Sequence, residues 1–384
     1  MNRAGIYLHI PFCRSRCSYC DFATGMYESE MAARYVHALV CEIKKWFEVE
    51  PAAEVDTIYF GGGTPSLLEP NQIEQILTAV RERFNVLDEA ETTIELNPGD
   101  GSASAASKGE TLREFRRLGI NRASFGAQTF DDYQLKQLGR THSAADIHST
   151  FYELREAGFE NINFDLIAAL PAQTMASWKR NLDEALKLRP EHLSLYLLDV
   201  HEGTPLADQI KRGRRPKPDD DLAADMYRVM IEEVCAAGYQ HYEISNFCLA
   251  GFESRHNTKY WTGAPYYSFG CSAHSYDGGR RRWANEREVA KYVRLIENGE
   301  SPVVERTNLT DEDARSESIF LGLRLMQGVD LLSYRARFGK DLRQEHAGEL
   351  NRLAAAGLIL TDGDLLRLTM RGAMLSNEVF AALA

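Results

Sequence analysis

Three cysteines fall within one short run, HIPFCRSRCSYCDF: Cys13, Cys17 and Cys20, with three and two residues between them. Thiols clustered this way hold metal more readily than they pair, and the chain's seven cysteines are an odd number, so a disulfide framework is a poor reading. A structural zinc ion would ask for four closed ligands, and His9 is the residue on offer as the fourth. An iron–sulfur cube held by three thiolates instead keeps one iron open for a ligand that reacts. Cys41, Cys235 and Cys248 have no partner at ligand spacing, and Cys41 and Cys235 read as small buried hydrophobes.

Other residues with chemical potential lie downstream. GGGTPS, Gly61 to Ser66, follows a β-rich run and could bring backbone amides close to a ligand, while a tight turn alone would also explain three glycines. Glu95 and Asp165 stand at predicted strand ends, where a carboxylate either meets a ligand or caps a helix. Arg140 serves a site or a solvated surface. In SRHNTKYWTG, His256 sits beside Tyr260 and Trp261, which by themselves read first as core aromatics with a satisfied loop histidine.

The elements that must carry these residues alternate between β-rich runs and amphipathic stretches from Gly5 to about Phe247. Strands are predicted over Ile6 to Ile10, Val55 to Phe60, Thr92 to Leu96, Arg122 to Gly126, Ile162 to Ile167 and Leu193 to Val200. Between them fall helices over Glu28 to Phe47, Gln72 to Phe84, Thr111 to Leu118, a pair within Asp132 to Ala157, Trp178 to Leu188 and Leu222 to Ala237. Six such units in about 240 residues predict an α/β fold, an incomplete (β/α)6 TIM-like barrel. Chemistry in such sheets collects where strands end, and Pro11 to Cys20, Gly61 to Pro65, Asn97 with Pro98, Gln128, and Leu170 with Pro171 all follow strands.

Three stretches are expected: the partial barrel over 1–240, a connecting segment over 241–300, and a mostly helical, winged-helix-like domain over 301–384. The last shows helices, then LILTDGDLLRLT about a turn at Asp362 and Gly363, then a helix from about Arg371. Its ten basic and twelve acidic residues leave a DNA-binding wing without a positive field. The whole chain, with 44 basic against 56 acidic residues and a formal charge of −12, argues the same way against nucleic acid. KRGRRPKP, Lys211 to Pro218, reads as a solvated loop. No apolar run has the length of a membrane span and the first residues do not resemble a secretory signal, so a cytoplasmic protein without a transmembrane segment is expected.

Taken together, the cysteine spacing and GGGTP resemble the radical S-adenosylmethionine (SAM) superfamily. YLHIPFC, GGGTPS, IELNP, GAQTF and FDLI followed by LP occur in the order of its coproporphyrinogen oxidase group, with the carboxy-terminal domain after them. The resemblance implies that Cys13, Cys17 and Cys20 bind a [4Fe-4S] cluster whose open iron takes the SAM amino and carboxylate groups. It further implies that Tyr7, Tyr19, Gly62, Gly63, Thr64, Glu95, Gln128, Arg140 and Asp165 contact SAM. Those types suit the ligand, with Arg140 for its carboxylate, Asp165 and Gln128 for ribose hydroxyls and Glu95 for its amino group. Ala168 and Ala169 depart from the group's usual tyrosine and glycine.

Within that group the oxidase has a further cysteine two residues past the last cluster ligand, where this chain has Phe22, and it has a longer amino-terminal extension. Both features resemble the group's heme-chaperone branch, whose HNxxYW signature His256, Asn257, Tyr260 and Trp261 match. The resemblance implies heme binding by those four residues and transfer to a heme-accepting apoprotein. Cys271, beside Ser272 where relatives have glycine, and His274 are second-rank heme ligands. The rival reading is an oxygen-independent coproporphyrinogen III dehydrogenase that decarboxylates two propionates to give protoporphyrinogen IX. No catalytic residue is assigned, enzymatic turnover is left open, and a homodimer is compatible with the sequence.

Overall fold

The computed structural model describes residues 3–45, 54–99 and 105–383. The six anticipated strands are β1 Ala4–Ile10, β2 Glu54–Gly62, β3 Asn85–Leu96, β4 Arg122–Gln128, β5 Asn161–Ala168 and β6 His192–Leu197. Helices α1 Ser29–Lys45, α2 Pro70–Arg83, α3 Ala105–Arg117, α4 Asp132–Leu138, α5 Ala144–Glu156 and α6 Met175–Leu188 separate them. Then come α7 Pro205–Lys211 and α8 Asp220–Ala236. The expected end of the first helix, Phe47, lies outside the described residues.

Each strand carries two sets of side chains with period two. In β1, Ile6, Leu8 and Ile10 join the apolar core under the helices, while Gly5, Tyr7 and His9 face the barrel interior. The helices answer with apolar stripes at helical spacing, as in α1, which buries Ala32, Tyr35, Val36, Leu39 and Ile43. Their starts are fixed by side chains: Ser143 and Asp146 form a capping box at α5, and Thr174 caps α6. Helix α7 is too short to show a period, though Thr204 and Pro205 supply a cap and a first-turn proline. Strand β3 begins at Asn85 rather than Thr92, because its exposed first half pairs with the start of β2 through backbone alone.

The stretch 241–300 supplies strands to both edges of the sheet. It opens inside β7 Gln240–Glu243 and contains β8 Asn246–Cys248, α9 Arg255–Thr262, β9 Tyr266–Phe269, β10 His274–Tyr276, β11 Arg281–Asn285 and α10 Val289–Glu297, followed by β12 Val303–Asn308. Among the described residues the order is β12-β11-β10-β9-β1-β2-β3-β4-β5-β6-β8-β7. β9 runs parallel to β1, so the parallel part spans β9 to β6, and the strands beyond it on both sides are antiparallel. The order is open, as an incomplete barrel requires. Pairing of β9 with β1 joins residues more than 250 positions apart, a contact that no local pattern announces.

Beyond β12, helix α11 Asp311–Arg324 leads into a lobe of short helices and a three-stranded sheet of Val329–Asp330, Leu365–Leu368 and Ile359–Asp362. The hairpin between the last two turns on Gly363 and Asp364, with Gly363 at φ 59°. The lobe is tied to the barrel where Ile244 N donates to Arg324 O (3.1 Å) and Met326 N to Tyr242 O (2.9 Å). No described helix is long and apolar enough to cross a membrane.

Candidate functional site

A cavity of about 390 Å³ opens at the carboxyl ends of the strands. Cys13, Cys17 and Cys20 line it together, all three free and part-buried. The loop that bears them is anchored by backbone: Ser18 N donates to Leu138 O (2.9 Å), Tyr27 N to Cys13 O (2.9 Å) and Leu206 N to Ser18 O (2.8 Å). Burial pushes the Cys13 thiol up to about 11 and raises that of Cys20, so loading with metal must displace protons. Among the described residues no three ligating side chains close on a point that a single ion could fill. His9 is withdrawn as a zinc ligand, since its Nε2 donates to Ala23 O (2.9 Å) and its Nδ1 accepts from the Tyr7 hydroxyl (3.2 Å).

The glycine loop packs on the cysteine loop. Gly63 N donates to Ile10 O (2.8 Å) and Thr64 N to Phe12 O (2.7 Å), and a Cβ on Gly63 would stand 2.6 Å from the Phe12 carbonyl oxygen. Gly62 N donates to Glu95 Oε2 (3.1 Å). The amides expected to face a ligand are therefore taken by the protein, and the loop's glycines serve first for this close approach. Thr64 lies with its hydroxyl on Cys13 Sγ (3.7 Å) and accepts from Asn97 Nδ2 (2.7 Å).

Arg140 reaches the same place from beyond α4. Its guanidinium donates to Cys17 Sγ (3.3 Å), Asn97 Oδ1 (2.6 Å) and Gly126 O (2.8 Å), which sets a fixed cation beside a sulfur of the cysteine loop. Gln128 lines the cavity at φ 64°, where the register of β4 on β5 shifts. Glu95 accepts from the Tyr59 hydroxyl (2.7 Å), and burial raises its carboxyl to about 7. Burial also raises Asp165, which accepts from Asn163 Nδ2 (2.7 Å).

Of the nine expected SAM contacts, Tyr19, Gly62, Gly63, Thr64, Glu95, Gln128, Arg140 and Asp165 line the cavity. Tyr7 does not; it lies deeper, stacked on Tyr59 with ring centroids 6.1 Å apart. Asn97, expected only as a strand-end residue, joins them, and Ser124, Asn163 and Tyr59 complete the arrangement without having been singled out. Their signal was available, because Thr57, Tyr59 and Gly61 in β2 and Asn161, Asn163 and Asp165 in β5 place small or polar residues on every second position. Phe22 stands at the mouth, 64% exposed.

The HNxxYW residues lie elsewhere, on α9, which plugs the opposite end of the barrel. His256 is fully buried, with Nδ1 2.9 Å from Thr57 Oγ1 and Nε2 3.0 Å from the Tyr260 hydroxyl, and burial pushes it down to about 3. Asn257 sits in the first turn, its N–H on the Ser254 cap (3.4 Å). Tyr260 and Trp261 line a second cavity of about 380 Å³, walled by Tyr266, Tyr276, Arg282 and residues of the carboxy-terminal lobe. The Arg324 guanidinium lies 4.2 Å over the Trp261 ring, while Trp261 Nε1 is buried without a partner among the described residues. Cys271 packs against the Tyr35 hydroxyl (3.7 Å) and His274 is exposed; neither lines this second cavity.

Residues 7–185 match the model of the radical SAM superfamily and residues 309–375 that of the HemN C-terminal domain. The protein named heme chaperone HemW in Bacillus subtilis is 37% identical over 377 residues, covering 98% of each chain. That of Mycobacterium tuberculosis (strain H37Rv) is 35% identical, covering 99% of this chain and 94% of that one. The mitochondrial radical S-adenosyl methionine domain-containing protein 1 of Bos taurus is 33% identical over all of this chain and 87% of its own. The solved coproporphyrinogen III oxidase HemN of Escherichia coli, a radical SAM enzyme, matches with a TM-score of 0.85 at 24% identity, covering this whole chain and 90% of that one, a likeness of fold.

Proposed function

The chain belongs to the radical SAM superfamily and, within it, to the family of the HemW proteins; from that premise we propose that it is a cytoplasmic heme chaperone, which binds heme and passes it to an acceptor apoprotein. The superfamily implies a [4Fe-4S] cluster and SAM, and the first cavity fits both. Cys13, Cys17 and Cys20 would hold the cluster, and Tyr19, Glu95, Gln128, Arg140 and Asp165 would meet the polar groups of SAM. Bound there, the pair would supply electron-transfer and radical chemistry. Arg140 holds positive charge at Cys17 and is itself oriented by Asn97, while Glu95 and Asp165 keep acceptors ready inside a low-dielectric pocket.

The observation that carries the chaperone reading is the second cavity. It is separate from the first and walled by the HNxxYW aromatics Tyr260 and Trp261, whose rings suit a planar macrocycle, with Arg337 on its lining for a carboxylate and Arg282 already paired with Glu317 (2.7 Å). Phe22 in place of a cysteine speaks against the decarboxylating alternative. His256 belongs to the support of this wall as placed, through the Tyr260 hydroxyl.

The test is a heme titration of the anaerobically reconstituted protein by its Soret band, with coproporphyrinogen III turnover assayed in parallel. We expect stoichiometric heme binding, weakened at least about tenfold in Trp261→Ala, and no protoporphyrinogen. Decarboxylation without stable heme binding would replace this reading with the oxidase.

A further inference from the structure

The two cavities are connected by the polar interior of the barrel. Asp165 accepts from Asn163 Nδ2 (2.7 Å), and Asn163 Oδ1 accepts from His192 Nδ1 (2.6 Å). His192 Nε2, left as the acceptor, accepts a hydrogen bond from the Tyr242 hydroxyl (2.8 Å), and the Tyr242 oxygen accepts from Ser254 N (3.3 Å). Ser254 is the N-cap of α9. Every hydrogen in this chain points the same way, from the cap of α9 to the carboxylate, and Asn163 and His192 are fully buried. Ser194 and Ser124 satisfy the remaining valences of Asn163.

A second route begins at the other carboxylate. The Tyr59 hydroxyl donates to Glu95, the Tyr59 ring lies 5.2 Å from the His256 ring, and His256 meets the Tyr260 hydroxyl, which stands on the second cavity. Both acids of the first cavity thus lead to one eight-residue helix whose far end is a wall of the second. Strands β5 and β6 are fixed by their ladder, whereas α9 is held to the barrel by side chains and by capping at its start. Lys259 adds an ion pair to Asp56 (2.6 Å) and a bond to Arg3 O (2.9 Å), so α9 rests on side-chain contacts that a change at either end would shift. In a low-dielectric interior, a change of acceptor strength at one end of an aligned chain alters every bond along it.

We propose that an adenosyl ligand in the first cavity and a ligand in the second are thermodynamically coupled through α9, each changing the other's affinity by the same factor. The identity of the second ligand as heme rests on the reading above; the coupling itself does not.

The experiment uses the reconstituted full chain with S-adenosylhomocysteine as the first probe. Hydrogen exchange of amides 255–262 is followed with and without it, and heme affinity is measured in the same two states, for wild type, Tyr242→Phe and Tyr59→Phe/Tyr242→Phe. Tyr242 lines neither cavity, so its loss spares the direct contacts of both ligands. In the wild type the nucleoside is expected to slow exchange across α9 and to change heme affinity by about fivefold or more, with Tyr242→Phe reducing both effects and the double variant abolishing them. Exchange that ignores saturating nucleoside in the wild type, or that responds equally in a folded double variant, overturns the proposal. Heme bound equally tightly with and without the nucleoside overturns the coupling, and the absence of any heme binding removes the heme reading instead.

Discussion

Glu95 shows how a single side chain ties binding to stability. Its carboxyl is raised from about 4.5 to about 7 because it is buried, with Tyr59 and Gly62 donating only part of what water would. Between those values the folded protein keeps a proton that the unfolded chain releases. Its contribution is therefore fully present below about pH 4.5 and is lost as pH rises through 7, a change of about 3 kcal/mol at 1.36 kcal/mol per unit. Glu95→Gln, which cannot ionise, should leave the unfolding midpoint near that of the wild type at pH 5 and raise it at pH 8. On the proposed placement of SAM, where Glu95 meets its amino group, the same variant should bind SAM at least about tenfold more weakly. Unfolding curves at the two pH values check the first statement and equilibrium titration the second; a wild-type stability flat from pH 5 to 8 would contradict the assigned origin of the shift.

At the scale of elements, α9 is held by its first turn. Glu91, buried on β3, accepts from Arg255 N (3.1 Å) and His256 N (3.0 Å), and Ser254 accepts from Asn257 N (3.4 Å). Two of the amides that every helix start leaves unpaired are thus satisfied by a carboxylate from another element. Removing it strands both of them in the barrel, so Glu91→Ala should cost about 2–4 kcal/mol, against about 1 kcal/mol for Ser254→Ala. Urea unfolding of the two variants measures the order. A smaller loss for Glu91→Ala would mean that α9 is positioned by its buried aromatics instead. His256, Tyr260 and Trp261 are legible as a motif in sequence, but their direction is decided by this docking, which sends the imidazole into the barrel and the indole toward the other lobe.

At the scale of the molecule, the loop of Cys13, Cys17 and Cys20 is a passenger on a frame that is complete without it. Its backbone is tied to α4, α7 and the glycine loop, and the apolar core under β1 to β6 does not pass through the cysteines. Stripping a reconstituted protein of iron by anaerobic chelation should abolish SAM binding and leave the far-ultraviolet circular dichroism and the main unfolding transition nearly unchanged. Global unfolding on chelation, as in a small zinc-folded domain, would show that the cysteines carry the fold.

The order and type of the barrel elements were written in local alternation, since strand period and helix period each need only neighbouring residues, and the cysteine run and GGGTP announced where the strands end. Amino-acid type also limited the ligands, because three clustered thiols and acids at strand ends have few other uses together. What tertiary structure decided were contacts across long sequence separations: β9 beside β1, Asn97 bridging Arg140 and Thr64, His9 turned to Ala23, and Glu91 capping a helix more than 160 residues later. Those depend on which faces meet when the sheet curls, and a face is set by the packing of the whole chain rather than by the residues on either side of it.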